Sequence, residues 1–212
     1  MASYDTSALY AFDTEYRNRI SGHIVGIDEA GRGPLAGPVV AGAVILDPAH
    51  PVDGIFDSKK LSPKKRDLLF DVICSQALAW GIGSASHEEI DTVNILQATF
   101  LAMQRALDSI TTKWSLALID GNRRIPTLAP ATQQTVVRGD ALSASIAAAS
   151  ILAKVTRDRI MERHHCSYPQ WEFAIHKGYP TLKHRELIRK YGISILHRKS
   201  FCTQFIEEPW RS

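Results

Sequence analysis

GIDEAGRGPLAGPVVAGAVIL, running from Gly26 to Leu46, decides how the rest of this 212-residue chain is read. An apolar run containing Ile24, Val25 and Ile27 meets two adjacent carboxylates, Asp28 and Glu29, and the turn Gly31-Arg32-Gly33 follows at once. The chain then resumes as a β-branched, small-residue run from Val39 to Leu46, the pattern of a second strand in a hairpin or meander. The two acids are therefore expected at a strand end, beside the exposed backbone of a glycine-rich turn. Adjacent residues on a regular strand point to opposite faces, which would bury one of the acids unless the strand ends there.

Outward from this hairpin, Ser62 and Pro63 have the chemistry of a helix cap and a first helical position, so a helix is expected over 64–76. Residues 78–85 read as a third strand. Ser86 to Glu89 has the spacing of a capping box, and the apolar period from Asn94 to Ile110 continues in helical phase. Two further short apolar runs, 115–119 and 134–137, read as strands, and each leads to an acid: Asp120 in Asp120-Gly121-Asn122 and Asp140 in Arg138-Gly139-Asp140. A long helix rich in alanine and serine is expected over 141–163. Strands that first meander and then alternate with helices imply an α/β fold, a mixed sheet covered by helices. Residues 1–21 read as an extension with a short amphipathic helix, 22–163 as the core, and 164–212, richer in aromatic, His, Lys and Arg residues, as a small helical region beside it.

Hydrophobic content of 45% against 22% charged residues is that of a globular chain, and a net charge of +3 permits a nucleic-acid partner without demanding one. Three widely spaced cysteines with no CxxC pair suggest neither a disulfide framework nor a cysteine zinc site. With no secretory h-region and no long apolar span, the expected location is the cytoplasm, with no membrane partner.

Asp28, Glu29, Asp120 and Asp140 each follow a strand-like run and precede a glycine turn or a helix. If those strands are neighbours, the carboxylates converge into a hard, oxygen-only site suited to Mg²⁺ or Mn²⁺. Two such ions, about 3.5–4 Å apart, are the arrangement that performs in-line phosphodiester hydrolysis, so the residues propose a nuclease. Taken singly each acid has a plainer reading: Asp140 as a helix cap, Asp120 as a turn residue, Asp28 as a loop acid. Gly31, Arg32 and Gly33 either bring backbone groups close to a 2′-hydroxyl or form a solvated turn. Pro34 and Pro38 bar the helix that a dinucleotide fingerprint would open. Lys59, Lys60, Lys177, Arg198 and Lys199 are candidate phosphate contacts, and Tyr179 a candidate stacking residue. A zinc site from His164, His165, Cys166 and His176 fits no usual spacing.

Together GIDEAGRGPLAGPVVAGAVIL, DSKKLS, EIDTVNILQATFLAMQRAL, IDGN, GDALSASIAAASILAKVTRD, YPQWEFAIHKGYPT and HRKSF resemble ribonuclease HII in the family's own order, from about Gly22 to Thr203. The resemblance implies a ribonuclease H-like fold and an endoribonuclease acting on RNA–DNA hybrids and on ribonucleotides embedded in duplex DNA, cutting 5′ of the ribonucleotide to leave a 3′-hydroxyl and a 5′-phosphate. It implies Asp28, Glu29, Asp120 and Asp140 as the metal-binding catalytic set, with Mg²⁺ or Mn²⁺ and two ions during catalysis. It further implies Gly31, Arg32 and Gly33 as the 2′-hydroxyl readers, Tyr179 against the sugar at the RNA-to-DNA junction, and Lys59 and Arg198 as phosphate contacts. The related ribonuclease HIII carries a longer domain before the first acidic motif, where only Met1 to Gly22 stand here, so HII is the expectation, as a monomer. A non-catalytic hybrid-binding protein is the alternative that the basic, aromatic last third would suit.

Overall fold

The structure is a computed structural model that describes residues 6–206. At its centre lies β1 (Ile24–Ala30), which carries both first acids. β2 (Val39–Ile45) returns antiparallel to β1, with Asp28 opposite Gly42 and Glu29 opposite Ala41, and β3 (Ala79–Ala85) extends the meander. On the other side β4 (Leu116–Asp120) runs parallel to β1, and β5 (Gln133–Val136) parallel to β4. The order β3-β2-β1-β4-β5 makes a mixed sheet, as the alternation of elements implied. Because β1, β4 and β5 are consecutive and point the same way, their C-terminal ends lie together.

Alternation along β1 sorts its side chains. Val25 and Ile27 belong to a core shared with α3 (His87–Asp108), through Ala98, Ala102 and Ala106. Ile24, Gly26 and Asp28 face the other layer, built on α4 (Ala144–Ser167) and α2 (Pro63–Gln76). On that side α4 lies very near the strands because both contact surfaces are small: Ala144, Ala147, Ala148 and Ala149 are buried, and Gly26 and Gly42 face the helix. A Cβ on Gly42 would stand 2.5 Å from the Ala149 carbonyl oxygen, and one on Gly26 would collide with the backbone of Ser145 and Ile146. Strand glycines mark just such a close approach.

Local chemistry sets the helix ends. Ser62 Oγ accepts from Lys65 N–H at 3.3 Å, and Ser86 with Glu89 forms the expected reciprocal capping box. Two boundaries differ from expectation. Helix α3 breaks at Asn94, whose φ of 68° is left-handed and whose Oδ1 accepts from the N–H groups of Leu96 and Gln97, recapping the second segment. Helix α4 starts at Ala144 rather than Ala141, because Ser143 is its cap and accepts from Ile146 N–H at 3.2 Å.

Helix α4 is continuous across residue 163 and ends at Ser167. Beyond it α5 (Phe173–His176), α6 (Leu182–Tyr191) and the single turn α7 (Thr203–Ile206) follow. They join the body through two small clusters, Ala36 with Met161, Trp171, Phe173 and Leu196, and Leu35 with Ile188 and Cys202. The helix expected near the N-terminus is α1 (Ser7–Arg17), packed on the α4 layer through Leu9, Phe12 and Tyr16. Residues 1–5 and 207–212, parts of the expected extension and C-terminal region, lie outside the described residues. Among the described residues no helix is long and apolar enough to cross a membrane.

Candidate active site

The four acids come from three points of the chain. Asp28 is buried on the α4 face of β1, where the absent side chain of Gly42 leaves room for it. Its Oδ1 accepts from the Glu29 N–H at 2.7 Å, and the Ser150 hydroxyl on α4 stands close enough to the same carboxylate to favour its charged form. Ser150 Oγ in turn lies 2.7 Å from Ser58 Oγ, which ties Asp28 to the loop that carries Lys59. The strand does not end at the acids: β1 continues to Ala30, so Asp28 and Glu29 sit inside its last turn of pleat, on opposite faces. Asp120 is the last residue of β4, and because Ile27 pairs with Ile119 it stands beside Asp28 on the next strand. Asp120 Oδ1 accepts from Gly139 N–H at 2.6 Å, which draws in the tight turn Gly139–Ala141 with Asp140 at its centre. With Ser143 as the cap of α4, Asp140 is not spent on capping.

These carboxylates disturb one another. Burial pushes the pKa of Asp28 well above its ordinary value, and Glu29 and Asp120 add to that. Glu29 is raised by burial first and by Asp120, against the pull of Arg32. Asp120 is raised by burial and then by Asp140. Lys59 brings a cation to Asp140: its Nζ lies 3.5 Å from Asp140 Oδ2 on a side chain 77% exposed. Burial works against its charge, but Asp140, Asp28 and Asp57 outweigh that and raise its pKa.

Beyond β1 the turn Gly31-Arg32-Gly33 leaves the sheet. Gly31 has φ of 100°, a left-handed value, and a Cβ there would collide with Arg157. Arg32 and Gly33 are exposed, and Arg32 Nη1 reaches back to Glu29 Oε1 at 3.3 Å, where it favours the charged carboxylate against the cost of burial. The expectation for Arg198 is corrected: its side chain is fully buried, so it does not face a phosphate. Instead it donates to three carbonyls, those of Gly31 at 2.6 Å, Arg32 at 2.9 Å and Gly37 at 3.0 Å. Tyr179 is 38% exposed, with Arg157 and Lys154 against its ring at 5.6 and 5.9 Å from the centroid.

The family model for Ribonuclease HII matches residues 25–204. The chain belongs to the ribonuclease HII family. A Ribonuclease HII of Vibrio vulnificus is 57% identical over 178 residues, covering 84% of this chain and 85% of that one. Among solved structures, the ribonuclease H2 from Pyrococcus horikoshii OT3 superposes with a TM-score of 0.68 at 26% identity, over 88% of this chain and 100% of that one. Bst-RNase HIII in complex with Mn²⁺ shares the fold, with a TM-score of 0.72 at 18% identity over 87% and 69%. The chain is thus a type 2 ribonuclease H, an endonuclease, which sets aside the non-catalytic binding alternative.

Within this ribonuclease HII, sequence reading missed the residues that hold the site rather than line it. Asp13 of α1 is buried and accepts from Ser143 Oγ, Ser145 N–H and Ser145 Oγ–H, anchoring the chain just past Asp140. Asp91 of α3 accepts from the N–H groups of Lys199 and Ser200, next to Arg198. Both acids lie on helices at unremarkable polar positions, and the only signal was that Asp91 falls inside the EIDTVN block. His176, within the zinc grouping weighed above, is spent on the Trp171 carbonyl and the Gly178 N–H. Among the described residues no three His, Cys, Asp or Glu side chains stand ready around one point, the four acids included. The ribonuclease HII acids share a field without closing on it. Their all-oxygen chemistry and mutual repulsion nevertheless fit a divalent cation, which would be held by Asp28, Glu29, Asp120 and Asp140.

Proposed function

We propose that this ribonuclease HII hydrolyses the RNA strand of RNA–DNA hybrids and cuts 5′ of ribonucleotides embedded in duplex DNA, leaving 3′-hydroxyl and 5′-phosphate ends. The observation that carries the reading is that the acids of β1 and β4 have their pKa raised by one another and by Asp140, in the turn after β5, beside an exposed glycine turn whose carbonyls face inward. When bound by the four acids, Mg²⁺ or Mn²⁺ would activate water for in-line attack and stabilise charge on the leaving oxygen.

The chain's own residues supply the rest. The Glu29 N–H orients the Asp28 carboxylate, and the Gly139 N–H orients that of Asp120. Lys59 sets a positive charge at the rim, suited to a phosphate oxygen. All peptide bonds among the described residues are trans, so with the Gly31 and Arg32 carbonyls turned onto Arg198 the N–H groups of Arg32 and Gly33 point the other way, outward. Those donors suit the 2′-hydroxyl, the group that separates RNA from DNA. Tyr179 presents a ring face to the sugar beyond it.

The test is incubation of the wild-type enzyme and Asp28→Asn with labelled duplex DNA carrying one ribonucleotide, in Mg²⁺, Mn²⁺ or chelator. The wild type is expected to cut on the 5′ side of the ribonucleotide only when metal is present, and the variant to bind without cutting. Cutting in chelator, or wild-type turnover by the variant, would overturn the reading.

A further inference from the structure

We propose that Arg198 is a positioning residue for ribonucleotide discrimination: from behind the site it fixes the peptide planes of the Gly31-Arg32-Gly33 turn, and Arg157 ties that turn to the loop bearing Tyr179. The proposal rests on the reading of the turn as the 2′-hydroxyl sensor. Its geometry is complete within the protein. Arg198 takes the carbonyls of Gly31, Arg32 and Gly37, while Arg157, also fully buried, donates to those of Ala36 at 3.1 Å, Pro38 at 3.0 Å and Lys177 at 2.9 Å. Two backbone bonds close the unit, from Leu35 N–H to the Gly178 carbonyl and from Arg198 N–H to the Leu35 carbonyl, each at 2.8 Å. The turn and the Tyr179 loop are thereby one body, although nearly 150 residues separate them in sequence.

Three observations argue that this arrangement serves more than packing. Two guanidiniums buried together, hydrogen-bonded to carbonyls and to no carboxylate, are costly, and apolar side chains would fill the same volume at less expense. The glycines of the turn divide: Gly31 is demanded by the fold, through its φ and through Arg157, whereas a Cβ on Gly33 meets nothing within 4 Å. What Gly33 leaves open is space outside the chain, where a substrate would approach. Finally, among the described residues the N–H groups of Arg32 and Gly33 have no partner within the protein, and their direction is inherited from the two carbonyls that Arg198 holds. A lysine keeps the charge but ends in a single nitrogen and cannot span three carbonyls as the planar fork does.

The test compares wild type, Arg198→Lys and, as a core control, Ile73→Val. Affinity is measured in chelator for duplex DNA with one ribonucleotide and for the same duplex without it, and amide order parameters of Arg32 and Gly33 are measured by NMR on the free protein. Arg198→Lys is expected to lose about tenfold in the affinity ratio, the scale of a misdirected hydrogen bond. Its Arg32 and Gly33 amides are expected to fall from roughly 0.85 toward 0.6 or below. Ile73→Val is expected to keep both values even where its melting temperature drops, which separates positioning from stability. A folded Arg198→Lys with the wild-type ratio and wild-type amides would overturn the proposal. Should Arg198→Lys fail to fold, Asp91→Asn loosens the same segment through Lys199 and Ser200, and the same two readouts decide. If the wild type itself bound both duplexes equally, the sensor reading would fail, and the amides alone would decide whether Arg198 positions the turn.

Discussion

Asp28 is the residue most in need of a cation. It is buried, and Glu29 and Asp120 raise its pKa further, so in the absence of an ion the folded chain holds a proton there more tightly than the unfolded chain does. The linkage has a definite sign: a carboxyl raised on folding favours the folded state at the acid end and loses that advantage as pH climbs through its ordinary range, near 4, toward the raised value. Asp28→Asn removes this pH-dependent cost. In chelator its melting temperature relative to wild type is expected to be closest at pH about 4 and to rise above it toward neutrality. A difference that is flat or shrinks over that window would contradict the charge assignment. Cleavage by the same variant is expected to fall roughly a thousandfold or more, since several kcal/mol of charge stabilisation goes with the ligand. At this scale the acids were legible, because two adjacent carboxylates after an apolar run have few quiet explanations. Arg198 was expected to face a phosphate, because its HRKSF motif shows a cation but not that the side chain turns inward.

Helix α4 walls in Asp28, because Ser150 stands beside that carboxylate only if the helix lies hard against Gly26 and Gly42. Gly42→Ala is therefore expected to destabilise by about 1–3 kcal/mol, as overpacking does. It should also lower cleavage beyond what the stability loss explains, measured by urea unfolding beside single-turnover rates. A neutral Gly42→Ala would show that the helix has slack. In the C-terminal region, burial lowers the pKa of His184 to about 4 and that of His197 to about 3, and the two rings meet at 3.1 Å. Both are held neutral, so the stability they support is present above the ordinary histidine value, near 6.5, and drains away as pH falls toward 4. His197→Phe is expected to lose less stability than wild type between pH 7 and 5; an equal loss would contradict the lowered values. Pattern and cap chemistry showed each strand and the helices up to α4, but not their ends, and gave residues 164–212 only as a helical region. The start of α4 was fixed by which of Asp140 and Ser143 caps it, and the break in α3 by Asn94, a choice among local hydrogen bonds that the apolar pattern does not carry.

Across the whole molecule, the site exists because β4 inserts beside β1, a parallel pairing that no local pattern announces and that the family resemblance alone implied. Once that pairing is made, Asp120 stands next to Asp28, and the turn after β5 follows through Gly139. The C-terminal segments then pack on the loop after β1 and on α4, so that residues 31–38, 176–179 and 197–202 are hydrogen-bonded to one another although the sequence scatters them. The central claim is that the acids and the Gly31-Arg32-Gly33 turn form one site that cuts where a 2′-hydroxyl is read. The most direct measurement is single-turnover cleavage, with Mn²⁺, of three duplexes that differ at one nucleotide only: ribose, deoxyribose and 2′-O-methylribose. A cut is expected in the ribose duplex alone, on its 5′ side, with a 3′-hydroxyl end. Comparable cutting of the deoxyribose duplex, or a cut on the 3′ side, would contradict it.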